Sequence, residues 1–534
     1  MRRKENKIAQ RIIFSLIASM VTMSLSAQTS ATKRPSLVVG IMIDGLNQEY
    51  IDQLRDLFGA DGFNRIMKDG IILQNVDYGT YLDNTAATAV IFSGSAPSVN
   101  GISGQEIFDN EKNKSYPILL DPSKIGNYTS ETYSPSALLV STLTDEVKID
   151  GDGLNQVHSI APDAIQSIIM AGHASNSAFW INDISGKWAT STFYKDVPSV
   201  ISNRNYKKPL STRLDAIAWE PTLNIKSYPD VPEHKRSYPF RYIFAKNDRD
   251  RYRMFKASAC VNNEVTSVAT EYISTLSLGN HSGVVDMLNI AYTLTPYQYS
   301  RTPDSRVETM DAYIKLDRDL AQLFSAIDSS VGMKNTLVFI AGTPARNRTR
   351  RDDEKWNIPS GQFSTRRAIS LLNMYLMAKH GNGEWVNNIH RNNIFLNHKL
   401  IKDKNIDIVS MRQDAAQFIL RMSGVANAYT IDDIIARRVG ENPEALHRNT
   451  NINHAGDIIF TITPGWSIED TNQSSNNNLV VRAATPSAPV FILAPSVKAQ
   501  KISYPVDARA IAPTVARLLR IRSPNSAATT PLQF

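Results

Sequence analysis

Ser36-Leu-Val-Val-Gly-Ile-Met-Ile43, followed by Asp44-Gly45, is the stretch on which the fold turns. An unbroken run of aliphatic and β-branched residues predicts a strand buried on both faces, as in a parallel sheet covered by helices. Asp44 is then expected at its carboxyl end. In open α/β sheets that edge is where ligands bind.

Outward from this strand the pattern alternates. Residues 48–58 read as a helix and Ile71-Ile-Leu73 as the next strand. A short helix is predicted over 85–92, with Asn84 as its N-cap. The clearest helix is 310–329, where Tyr313, Leu316, Leu320, Leu323, Phe324 and Ile327 share one face. Strands follow at Thr336-Leu-Val-Phe-Ile-Ala341, Leu479-Val-Val481 and Val490-Phe-Ile-Leu493, and a last helix over 507–519. Alternation at both ends of the chain implies one α/β sheet assembled from distant segments. Residues 180–280, rich in Tyr, Pro, Asn and Arg, read as an inserted cap.

The chain has 534 residues, 42% hydrophobic and 20% charged, a balance that excludes disordered and fibrous classes. Arg2, Arg3, Lys4, Lys7 and Arg11 precede an apolar run from Ile12 to Leu25 that ends in Ser26-Ala27. This is the pattern of a secretory signal over 1–27, and it predicts export to the periplasm or surface of a bacterium. No later segment is apolar enough to cross a bilayer. The leader holds five of the 58 basic and one of the 51 acidic residues, leaving 53 against 50. So near-neutral a remainder gives no reason to expect nucleic acid. Cys260 is the only cysteine, so no internal disulfide forms, and it is expected to be a small buried residue without a redox role.

Five stretches, in order, resemble the alkaline phosphatase superfamily. The branch is the one holding single-chain bacterial phosphomonoesterases and nucleotide pyrophosphatase/phosphodiesterases. They are Leu37-Val-Val-Gly-Ile-Met-Ile-Asp44, Phe92-Ser-Gly-Ser-Ala-Pro-Ser-Val-Asn-Gly-Ile102, Ala171-Gly-His-Ala-Ser-Asn-Ser-Ala-Phe-Trp180, Asp311-Ala-Tyr-Ile-Lys-Leu-Asp-Arg-Asp-Leu320 and Asp507-Ala-Arg-Ala-Ile-Ala-Pro-Thr-Val515. The resemblance implies an alkaline-phosphatase-like central sheet flanked by helices on both faces, over 28–534.

It also implies two zinc ions and a Thr or Ser nucleophile. Two divalent cations neutralise an anionic phosphate ester and stabilise its entering and leaving oxygens. Holding them takes about six protein groups, mostly Asp and His. Asp44 matches the first ligand. The nucleophile position falls on Asn84, whose amide cannot attack phosphorus. Thr85 is one residue away, but that step turns its hydroxyl by about 100°. An expected Asp and His, four residues apart, fall on Pro296 and Ser300, with Asp304 nearby. An expected Asp-His pair falls on Thr343 and Pro344, and a last His on Ala488. The branch's phosphate-gripping Lys and Arg fall on Asp163 and Ile165, while His173 survives in its motif.

The expectation is therefore a degenerate site. Asp44 is a single retained metal ligand, Asn84 a lost nucleophile, Thr85 a weak substitute, and no cofactor is expected. The chain would serve as a binding or scaffold protein for an unknown protein or envelope ligand. Two alternatives stand beside it. One is a zinc-dependent phosphomonoesterase or phosphodiesterase with displaced ligands. The other is a binder of an anionic glycan or lipid head group through Arg346, Arg348, Arg350 and Arg351.

Overall fold

The computed structural model of the chain describes residues 34–534, except 303, 344–356, 358, 441, 464, 470–486 and 496. The leader, the arginine run at 346–351, Pro344 and the strand expected at 479–481 lie outside the described residues.

Eleven strands form the central sheet: β1 (Leu37–Asp44), β2 (Ile71–Asp77), β3 (Gly126–Asn127), β4 (Val157–Ala161), β5 (Ser177–Ile181), β6 (Trp188–Ser191), β7 (Asp286–Thr293), β8 (Thr336–Gly342), β9 (Ala488–Leu493), β10 (Gln500–Ile502) and β11 (Val506–Asp507). Their order is β10-β2-β9-β8-β1-β7-β4-β5-β6-β3, with β11 also on β2. β8, β1, β7, β4 and β5 run parallel, and β9 is antiparallel to both its neighbours. Asp44 stands opposite Thr293, and Ile43 opposite Gly342, so the carboxyl ends of the three central strands are level.

β1 is buried on both faces, as its composition demands. Leu37, Val39, Ile41 and Ile43 enter one apolar cluster, and Val38 and Met42 the other. Gly40 lies between them because a Cβ there would come within 2.6 Å of Asn289 Oδ1 and 2.7 Å of the Phe339 ring.

The helices that matter for the site are α1 (Asn84–Ser93), α2 (Ala164–Ala171), α3 (Cys260–Thr275), α4 (Arg306–Ser330) and α5 (Ile511–Leu519). α3 and α4 pack on the first face, and the whole stripe from Tyr313 to Ile327 is buried there. α1 and α5 pack on the second through Ala86, Val90, Ile511 and Val515. The fold is thus the expected central sheet with helices on both faces.

Two features differ from the sequence reading. Residues 180–280 do not form one layer. They supply β6 to the sheet edge and α3 to the helical layer, and 218–243, closed by a two-residue ladder (Tyr242 opposite Trp219), lie against the start of α4. A separate four-stranded sheet, not anticipated, is built from Val386–His390, Asn393–Leu396, Ile458–Ile462 and Val425–Thr430. It has its own apolar cluster around Trp385, Leu372, Ile419 and Phe460. No helix among the described residues is long and apolar enough to cross a membrane.

Candidate functional site

At the carboxyl end of β1 the chain leaves the sheet through Gly45, whose φ of 78° is open to glycine at little cost. Asp44 is thereby left at the sheet edge, where its carboxylate meets side chains from two other elements. Thr343, immediately after β8, donates its hydroxyl to Asp44 Oδ1 at 2.5 Å. The same hydroxyl accepts the Gly45 amide at 3.1 Å. Asn84 donates its side-chain amide to Asp44 Oδ2 at 3.0 Å. The structure therefore brings Asp44, Asn84 and Thr343 together, from three separate elements.

Asn84 is free to do this because it is not the N-cap of α1. That role belongs to Asp83, whose carboxylate accepts the Ala86 amide at 2.9 Å. The sequence offers two adjacent capping residues, and the choice between them sets which one points at Asp44. The other Asp83 oxygen accepts the Gln105 amide at 2.9 Å and Arg391 Nη1 at 2.6 Å. Burial alone would raise the Asp83 carboxyl, but the Arg391 charge and these hydrogen bonds outweigh it and hold it below the usual carboxylate range. Arg391 comes from the second sheet and was not a sequence candidate. Its partner lies some three hundred residues upstream, and no local pattern links them.

Thr85 is 2% exposed, and its hydroxyl meets Asn84 Oδ1 at 3.5 Å. One step along the helix has turned it away from Asp44, as helical geometry requires.

Ala488 opens β9 and is buried beside Gly342, where a Cβ would lie 3.1 Å from its own. It offers a methyl group and no donor atom. Pro296 is half-buried in the loop after β7. Leu294, at the start of that loop, donates its amide to the Asp44 carbonyl at 2.7 Å. Ser300 donates to Glu308 Oε1 at 3.2 Å. Asp304 pairs with Arg306 at 2.9 Å.

Of the two positions where the resemblance puts phosphate-gripping cations, one carries a carboxylate and the other an apolar side chain. Asp163 forms an ion pair with Lys256 at 2.6 Å, and Lys256 also meets Asp183 at 2.6 Å. Burial depresses the Lys256 ammonium, but the two carboxylates override it and raise it above the usual lysine range. Ile165 is half-buried on α2. His173 lies at the opposite edge of the sheet, since α2 returns there before β5 begins. It bridges Asp145 Oδ2 at 3.1 Å and the Leu138 carbonyl at 2.9 Å. Cys260 opens α3, and burial pushes its thiol up to about 11, where it is a poor nucleophile at neutral pH.

These residues do not fit a pair of zinc ions. The matching positions supply one carboxylate, whose oxygens are engaged by neutral donors, and two hydroxyls where stronger ligands belong. Proline and alanine have no side-chain donor. Among the described residues no group of three His, Cys, Asp or Glu side chains is arranged to hold a metal.

The comparisons agree with the fold. The model of the type I phosphodiesterase / nucleotide pyrophosphatase family matches residues 38–485. The chain is 26% identical to the alkaline phosphatase PafA of Elizabethkingia meningoseptica, covering 96% of this chain and 97% of that one. It is also 26% identical to a protein of Myroides odoratus named calcium-transporting ATPase, covering 94% of each. A crystal structure of wild-type PafA superposes with a TM-score of 0.83 at 24% identity, over 94% of this chain and 99% of that one. The chain thus belongs to the type I phosphodiesterase / nucleotide pyrophosphatase family, within the alkaline phosphatase superfamily.

Proposed function

We propose that this chain is an exported, non-catalytic member of its family that works as a binding or scaffold component of the cell envelope. One observation carries the reading. The Asp44 carboxylate, which in the family's chemistry would hold a metal, is closed by direct hydrogen bonds to Asn84 and Thr343. An amide stands where the nucleophile belongs, and Ala488 removes a further donor. A lone carboxylate cannot organise two cations, and without them an anionic ester is not activated. The bland role of such a cluster is structural: it ties β1, α1 and the end of β8 together.

The alternative, a zinc-dependent phosphomonoesterase or phosphodiesterase with displaced ligands, is favoured by the relatives, since the protein from Elizabethkingia and one from Synechococcus elongatus are both named alkaline phosphatases. Hydrolysis of simple phosphate mono- and diesters by the purified chain, with and without added Zn²⁺, separates the two. The expected rate equals the blank in both conditions. Turnover that needs Zn²⁺ and disappears in Thr85→Ala would establish the enzyme.

A further inference from the structure

α3 and α4 pack against each other on the first face of the sheet, and a carboxyl group is buried in the seam between them. Asp319, on α4, is 4% exposed. Leu316 and Leu323, one turn of helix to either side of it, enter the main apolar cluster together with Val261 and Val265 of α3. Across the seam Asp319 meets a neutral donor, the Asn263 side-chain amide, which donates to its Oδ1 at 2.8 Å. Its Oδ2 is buried and meets no donor among the described residues.

The charged and titratable groups around it leave that oxygen alone. Lys315, one turn earlier on α4 and half-buried, acts on Asp319 through its charge and not through a hydrogen bond. Asp317 is turned to the Gly59 and Phe63 amides, each at 2.8 Å, and Arg318 is exposed. On α3, Glu264 is paired with Arg213 at 2.7 Å and Glu271 with Arg204 at 3.0 Å. The Cys260 thiol is pushed up chiefly by burial, and the Asp319 charge adds to that rise. On β7, the Tyr292 hydroxyl lies 2.9 Å from Thr266 Oγ1, which itself donates to the Asn262 carbonyl at 2.9 Å. The tyrosine proton is therefore spent on the threonine.

An ionised carboxylate in this seam would keep one oxygen out of water with nothing to replace the water, whereas the neutral acid is far cheaper to bury. Burial pushes the Asp319 carboxyl up to about 7, against the Asn263 hydrogen bond and the Lys315 charge.

We infer that Asp319 makes the α3–α4 seam sensitive to pH: it is buried there as the neutral acid, and the fold loses stability when the acid gives up its proton. The seam also bears on the sheet edge. Asn262, next to Asn263, clamps Thr293 by two hydrogen bonds, to its carbonyl at 2.9 Å and from its amide at 3.0 Å, and Thr293 stands opposite Asp44. On α4, the Tyr313 hydroxyl accepts the Asn47 amide at 2.8 Å. The two helices that meet at Asp319 thus hold the strand end beside Asp44 and the turn after it. The inference stands apart from the proposed function, since it needs neither a metal nor a ligand.

Urea unfolding of the full mature chain across a series of pH values tests it. An acid raised in the folded state contributes stability that is complete below its unfolded value, about pH 4, and is lost as pH rises to the folded one. Each pH unit within that window changes the unfolding equilibrium by about tenfold. Asp319→Asn keeps the shape and neutrality of the protonated acid. It should gain on the wild type by about tenfold or more between about pH 5 and about pH 7, and no further above about pH 8. If that variant fails to fold, Asp319→Leu, of similar size and without a titrating proton, should show the same pH-dependent gain. A gap that stays constant over the range would mean that the carboxyl is ionised throughout, and a gap that moves the other way would reverse the sign. Either result would overturn the proposal.

Discussion

Replacing Asn84 with aspartate sets a second carboxylate against Asp44 at a place where the structure now has an amide donor 3.0 Å away. Two unit charges at that distance repel by about 5.5 kcal/mol at an effective dielectric of 20, and by about 1.4 kcal/mol in bulk water. Asp44 is half-buried, so the cost falls between these limits, about 2–4 kcal/mol, and it is capped because one carboxyl takes up a proton. The lost amide hydrogen bond adds about 1.5 kcal/mol, the share that Asn84→Ala alone should show. The cost depends on pH with a definite sign. A carboxyl raised in the folded state binds more protons than in the unfolded one, so Asn84→Asp loses stability as pH rises from about 4 to 7, while Asn84→Ala does not. Urea unfolding across that range, with and without micromolar Zn²⁺, reads both effects. A neutral Asn84→Asp, or one restored to wild-type stability by Zn²⁺, would refute the reasoning, because restoration requires further metal donors beside Asp44.

Gly40→Ala should cost at least about 1–3 kcal/mol in urea unfolding, since the new methyl would press on Asn289 and the Phe339 ring within the packed sheet; a change below about 0.5 kcal/mol would mean that the sheet relaxes freely there. His173 is raised above the ordinary imidazole value by its hydrogen bond with Asp145, against the opposing effect of burial. Its stabilisation is therefore complete below about pH 6.5 and lost as pH rises through the raised folded value. Thermal melts should show the wild-type advantage over His173→Asn shrinking from pH 6 to about 9; an advantage that grows with pH would reverse the assignment.

The fold was legible where burial acts on both faces of an element. The run from Leu37 to Ile43 and the stripe from Tyr313 to Ile327 admit one reading each, because every residue in them meets the core. Boundaries were less legible. Asp83 and Asn84 are both good N-caps, and the choice is made by the Arg391 charge and the Gln105 amide, both distant in sequence. The second sheet was missed because its strands are short, interrupted by helices, and in one case paired across more than sixty residues, as Asn393 is with Ile459. At the site, the sequence could say that Pro296, Thr343 and Ala488 are poor ligands. It could not say that the Thr343 hydroxyl closes on Asp44, since that contact joins residues from opposite halves of the chain.

The most direct test of the central claim is the zinc content of the purified mature chain after loading with Zn²⁺ and removal of the free metal. The account predicts well under about one zinc ion per chain, since one carboxylate already hydrogen-bonded to Asn84 and Thr343 cannot supply the roughly three protein ligands that each ion needs. Two zinc ions retained per chain would contradict it and place the chain among the metal-dependent members of its family.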